Sequence, residues 1–164
     1  MDRPLRNKLG MTIMSDITTD TKRVIPFAKP ITDSLSPYME PLLRVTTGLL
    51  LVPHGYGKLF GGGLEGTAQF FESVGFAPGY PFALFVALVE FFGGLALAPG
   101  FLTRPVAVLI VGFMAQATLF HAANGFMWSN GGFEYPLLWT VTALVFLVRG
   151  GGKLSVDRAI GREF

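Results

Sequence analysis

The chain has no cysteine among its 164 residues, so it builds no disulfide, no thiolate metal site, no iron–sulfur ligation and no thiol relay. Any redox chemistry has to come from a partner or a bound cofactor. Charge is scarce as well: 15% of the residues are Asp, Glu, Lys or Arg, and the formal net charge is +2. The basic residues are scattered over both ends and single loop positions, which leaves no face for nucleic acid. Also missing is the polar stripe that a soluble helix turns to water, since in "PFALFVALVEFFGGLALA" only Glu90 interrupts the apolar run. What the chain has in abundance is apolar surface: 51% hydrophobic residues, with 16 Phe and 21 Gly. That balance is too apolar for an ordinary soluble domain of this length, so the bilayer is the expected solvent.

The charged residues divide the chain into four apolar segments, at 42–60, 81–98, 105–123 and 135–148. A transmembrane helix needs roughly 20 residues, so three segments suffice and the fourth borrows Phe133 and Glu134 from its margin. The expected fold is all-α: an integral membrane four-helix bundle with short connections and antiparallel neighbours. Residues 1–40 differ in kind, with mixed charge, Pro26, Pro30 and Pro37, and no apolar core. They read as a flexible cytoplasmic arm ahead of a 41–164 membrane domain that ends in a short cytoplasmic tail. The arm lacks the apolar middle of a signal peptide, and Met11 and Met14 are alternative starts to Met1. Six Lys/Arg in the arm, Arg104 in the second loop and four basic residues after the last segment put both termini in the cytoplasm.

That orientation assigns depths to the polar residues. At roughly 1.5 Å per residue, His54 lies about 18 Å from the cytoplasmic start of the first helix and Gln116 about 17 Å along the third. Glu90 lies about 14 Å below the outer surface, so these three share a level in a core of roughly 30 Å. Lys58, His121 and Glu134 form a second level nearer the outside, and Arg44 stands near the cytoplasmic end. Ionisable groups at such depths are costly unless they face protein, water or a ligand, which points them into the bundle. Gly93 and Gly94 beside Glu90, and Pro53, Gly55 and Gly57 around His54, suit close helix approach there.

Plainer roles compete for each of these residues. Lys58 can snorkel to the outer headgroups, Glu90 can be a structural ion pair, and Gln116 can tie two helices together. Glu134 in "SNGGFEYP" can start the last helix, where a carboxylate suits the positive dipole end. His54 and His121 form a weak bis-imidazole haem pattern, because their depths differ by about 7 Å. No metal site is expected. Phe70 and Phe71 in "LEGTAQFFESVGF" suggest an interfacial or lid helix rather than an aromatic cofactor box.

Four patches taken in order carry a family resemblance: "RVTTGLLLVPHGYGKLF", "ALVEFFGGLALAPGFLTRPVA", "HAANGFMWSNGGFEYPLLW" and "GGGKLSVDR". Across residues 40–158 the chain resembles the DoxX family of small four-helix bacterial membrane proteins. By this resemblance Arg44, His54, Lys58, Glu90, Arg104 and Glu134 fall on the family's recurring polar positions, and Ser155 and Asp157 on its closing motif. Residue chemistry alone gives Ser155 as the cap of a short helix with Asp157 in its first turn.

The resemblance implies a multi-pass protein of the bacterial cytoplasmic membrane, the membrane part of an oxidoreductase system that meets quinone and a soluble redox partner. His54, Lys58, Glu90, Gln116, His121 and Glu134 would then surround the quinone, with Glu90 and His54 the candidates for proton transfer. Two alternatives stand beside it: a non-catalytic anchor for a soluble redox enzyme, and a carrier of protons or small molecules. A small bundle also leaves surface for a homo-oligomer.

Overall fold

The computed structural model describes residues 24–164, so the start sites Met1, Met11 and Met14 and the arm up to residue 23 lie outside the described residues. The chain divides into two units between Leu35 and Ser36. In the first, a 3-10 turn at Pro26–Ala28 leads into helix α1, Lys29–Leu59, which runs on through the second. Helix begins at Lys29, ahead of the apolar segment at 42–60, so residues 29–40 are helical. Of the prolines cited for the arm, Pro37 lies inside the helix, as do Pro41 and Pro53. Proline's fixed φ is itself near-helical, so each removes one backbone donor and bends the helix without ending it.

The second unit adds α2 (Gly63–Ser73), α3 (Gly79–Leu97), α4 (Thr103–His121), α5 (Glu134–Arg149) and the single turn α6 (Val156–Ala159). No strand occurs among the described residues. Gly62 and Gly75 bracket α2 at φ 78° and 93°, left-handed values that glycine adopts without strain. Inside α3 a π turn, Val89–Gly93, widens the helix around Glu90.

One apolar core draws on four helices: Leu51 of α1, Val89 and Leu97 of α3, Val106, Ala107 and Ile110 of α4, and Trp139, Ala143 and Phe146 of α5. Small residues set how closely α1 and α3 approach. A Cβ on Gly48 would lie 2.6 Å from the Gly94 carbonyl oxygen, and a Cβ on Gly55 would strike the backbone of Phe91.

Two helical stretches are long and apolar enough to cross a membrane, Gly79–Leu97 and Thr103–Asn124, and only 39% and 17% of their apolar windows are buried within the protein. A soluble core helix would be mostly buried; here Phe92, Leu95, Val108 and Leu109 point outward instead. At 16 residues α5 is short for a span, and α1 carries Asp33, Glu40, Arg44 and Lys58 along its length.

At one end of the second unit, polar groups tie the helix ends together. The Arg44 guanidinium, 2% exposed, donates to the carbonyls of Ala98, Gly151 and Leu154. Asp157 accepts from the amides of Leu102 and Thr103, both at 2.9 Å, so it caps α4 from far along the chain. Ser155 caps α6 through Arg158 N, as the residue chemistry predicts, and Asp157 lies in the first turn of α6 while its carboxylate serves α4. Arg104 bonds Glu163 in an exposed pair at 3.0 Å.

Candidate functional site

Toward the opposite end, α2, α3 and α4 enclose a cavity of about 730 Å³ that Lys58 of α1 also reaches. Its size suits a small organic molecule. The walls follow from the sequence. The α2 helix folds back over the start of α3, where a Cβ on Gly79 would strike the Ala68 carbonyl, and Glu72 Oε1 accepts from Gly79 N at 3.0 Å. That crossing sends Phe70 and Phe71 inward. Phe70 meets Phe120 of α4 edge-on at 5.3 Å between centroids, and Phe71 meets Phe82 of α3 at 6.2 Å. Phe85 and Phe113 extend the aromatic lining.

The polar part of the wall is compact. Glu90, on the π turn and 7% exposed, accepts from Lys58 Nζ at 2.6 Å through Oε2. A charge pair this short and this enclosed is a charge-assisted hydrogen bond. Lys58 also approaches the His54 carbonyl at 3.5 Å. Gln116 and His121 of α4 line the same cavity. His121 Nδ1 lies 2.6 Å from the Gly131 carbonyl; a carbonyl only accepts, so Nδ1 carries a proton and Nε2 is the nitrogen left over.

Four of the six pocket residues expected from the sequence thus meet at one cavity: Lys58, Glu90, Gln116 and His121. His54 and Glu134 do not line it. The His54 side chain is exposed on the outer face of α1. Helical geometry explains the split, since α1 meets α3 through Gly48, Leu51 and Gly55. At about 100° per residue, Lys58 lies about 60° round from Gly55, but His54 about 100°. A long ammonium stem bridges the smaller angle and a short imidazole does not bridge the larger one. Glu134 instead accepts from Trp128 N at 3.0 Å and holds the loop before α5, so its carboxylate is no second partner for Lys58. His54 and His121 are consequently not brought together. Arg44, Arg104, Ser155 and Asp157 all lie at the other end.

Sequence reasoning missed the aromatic walls. Phe82, Phe85, Phe113 and Phe120 read as generic membrane residues, although the density of Phe between residues 70 and 92 is a signal in hindsight. Gly112 was missed too: it lines the cavity, and a Cβ there would meet nothing within 4 Å. Nothing in the apolar pattern around Glu90 announces a π turn, a device that recurs at functional sites.

Comparison with known proteins identifies the setting of this cavity. The family model DoxX matches residues 41–123, which include α1 from Pro41, the α2 lid, α3 and α4 through His121. The inner membrane protein YqjF of Escherichia coli is 34% identical over 132 residues, covering 74% of this chain and 91% of that protein. The protein named "Putative oxidoreductase CatD" of Bacillus subtilis is 34% identical over 116 residues, covering 71% of this chain and 82% of its own. An uncharacterized protein of Haemophilus influenzae is 31% identical over 126 residues. No solved structure matches the chain significantly. A family model spanning half of the sequence, joined to relatives matched over most of their own length, carries one conclusion: the chain belongs to the DoxX family.

Proposed function

We propose that the chain is the multi-pass membrane component of an oxidoreductase system of the bacterial cytoplasmic membrane, with a quinone-type ring as the occupant of its cavity and a soluble redox protein as its partner. In this reading α1, α3, α4 and α5 are the four helices of a transmembrane bundle with both termini cytoplasmic. The end that carries Arg44 and Asp157 then faces the cytoplasm, and the cavity opens in the outer half. The name of CatD supports the oxidoreductase setting and that of YqjF the inner membrane.

One observation carries the reading: a hydrogen-bonded Lys58–Glu90 pair set in the wall of a phenylalanine-lined cavity. Such walls take a flat, lipophilic ring by edge and face contacts, and the pair supplies polar groups for oxygens on its rim. Lys58, Glu90, Gln116 and His121 would hold those oxygens. A bound quinone supplies two-electron redox chemistry that no side chain here provides. The protein contributes the dry pocket, the orientation of the ring and groups able to exchange protons with its rim.

The test fills the cavity without disturbing the fold. Gly112→Leu adds a side chain into open space on a helix, so unfolding temperature should hold or rise. Native protein purified in mild detergent should yield an extractable quinone, and the Gly112→Leu protein should yield little or none. Equal quinone in both, or none in the native protein, contradicts the proposal; flux of small solutes in liposomes with no bound quinone would favour a carrier instead.

A further inference from the structure

The polar atoms that the protein leaves unused in this cavity include a carboxylate oxygen, which can only accept. Glu90 spends Oε2 on Lys58, while Oε1 has no hydrogen-bond partner among the described residues and is not sealed from solvent-sized access. His121 spends Nδ1–H on Gly131, which leaves Nε2 for a ligand, an acceptor when the ring is neutral. Gln116 has no hydrogen bond to the described residues and can turn either end of its amide to a ligand. On the donor side stand the Gln116 N–H2 and what remains of the Lys58 ammonium, already committed to Glu90 and directed at the His54 carbonyl.

A ring that carries only carbonyl oxygens brings lone pairs and no donors. Against Glu90 Oε1 it would set acceptor against acceptor beside a negative charge, and the ring would displace water that could otherwise donate there. A ring that carries hydroxyls matches the wall: one O–H donates to the Glu90 carboxylate in a charge-assisted bond, and a second donates to His121 Nε2 or the Gln116 oxygen. From this donor and acceptor balance we infer that the cavity selects the hydroxylated, reduced form of its ring, a hydroquinone or a closely related dihydroxy aromatic, over the corresponding quinone. The inference rests on the quinone-type reading above and adds to it the redox state that the protein holds. Bound in this way, the ring has its hydroxyl protons next to a carboxylate and an imidazole, and the walls of phenylalanine discriminate by shape and not by oxidation state.

Calorimetric titration of the full-length protein in detergent decides the matter with three probes of one ring and one short alkyl tail: the hydroquinone, kept reduced without oxygen, the quinone, and the hydroquinone dimethyl ether. The hydroquinone should bind at least about tenfold tighter than either of the others, the factor that one well-placed hydrogen bond confers. Glu90→Gln sharpens the test. With its carbonyl oxygen turned to Lys58, the amide places an N–H2 donor where Oε1 stood, so the ratio should collapse or reverse towards the quinone. Unfolding temperature of the variant, compared with Lys58→Met, checks that the fold persists. Equal or tighter binding of the quinone by the native protein overturns the inference and leaves the quinone-type reading standing. Absence of binding by all three probes overturns both.

Discussion

Arg44 illustrates what single residues do in this protein. Its guanidinium is almost wholly enclosed and its fork of N–H groups reaches three carbonyls on two separate stretches of chain, Ala98 on one and Gly151 and Leu154 on the other. Only arginine combines a permanent charge with donors spread in one plane, so a lysine at this place keeps the charge and loses the span. Arg44→Lys should therefore destabilise by about 3 kcal/mol, the worth of two hydrogen bonds to a charged group. Thermal unfolding in detergent reads this directly. A variant as stable as the native protein would mean that the carbonyls find other partners and that the arginine does not hold the two stretches together. Glu90 and Lys58 work differently, since their bond leaves polar capacity over on the cavity side.

Among the elements, the contact between α1 and α3 sets the position of the Lys58–Glu90 pair, and glycine governs it. A methyl at Gly55 would meet the Phe91 amide nitrogen and, at 2.8 Å, the Ala87 carbonyl oxygen, both fixed backbone atoms. Gly55→Ala should thus push the helices apart and cost about 1–3 kcal/mol through overpacking. Gly57→Ala, two positions on in open space, should be neutral or stabilising by about 0.5–1 kcal/mol through helix propensity. Similar unfolding temperatures for the two variants would refute this account of the interface. Much of this level was legible in the sequence. The glycines beside His54 and Glu90 signalled close approach, the ion-pair role open to Glu90 is filled by Lys58, and Phe70 and Phe71 lie on a helix of their own that lines the cavity. What was not legible depended on rotation about a helix axis. A four-residue spacing places two side chains on one side of a helix but does not say which of them meets the neighbour, and on that point His54 was lost from the pocket. Glu134 was lost for a related reason, since the backbone turn at 125–133 supplies Trp128 N as its partner and no side-chain pattern encodes that.

For the whole molecule, the distribution of lysine and arginine divides the two ends, and the orientation proposed above follows from it. A reporter active only outside the cytoplasm should respond when inserted near Gly62 or Asn130 and stay silent after Phe164. The reverse pattern would invert the proposed orientation and move the cavity to the cytoplasmic half. Asp157 adds a consequence in time. It serves the amides of Leu102 and Thr103 across 55 and 54 residues, so the turn between α3 and α4 is synthesised well before the carboxylate that completes it. Until translation reaches residues 151–157, the start of α4 has bare donors and Arg44 lacks the Gly151 and Leu154 carbonyls. A chain made only as far as Arg149 would hold every apolar segment and still lack the groups that join its helix ends, so closing this protein waits on residues 151–157.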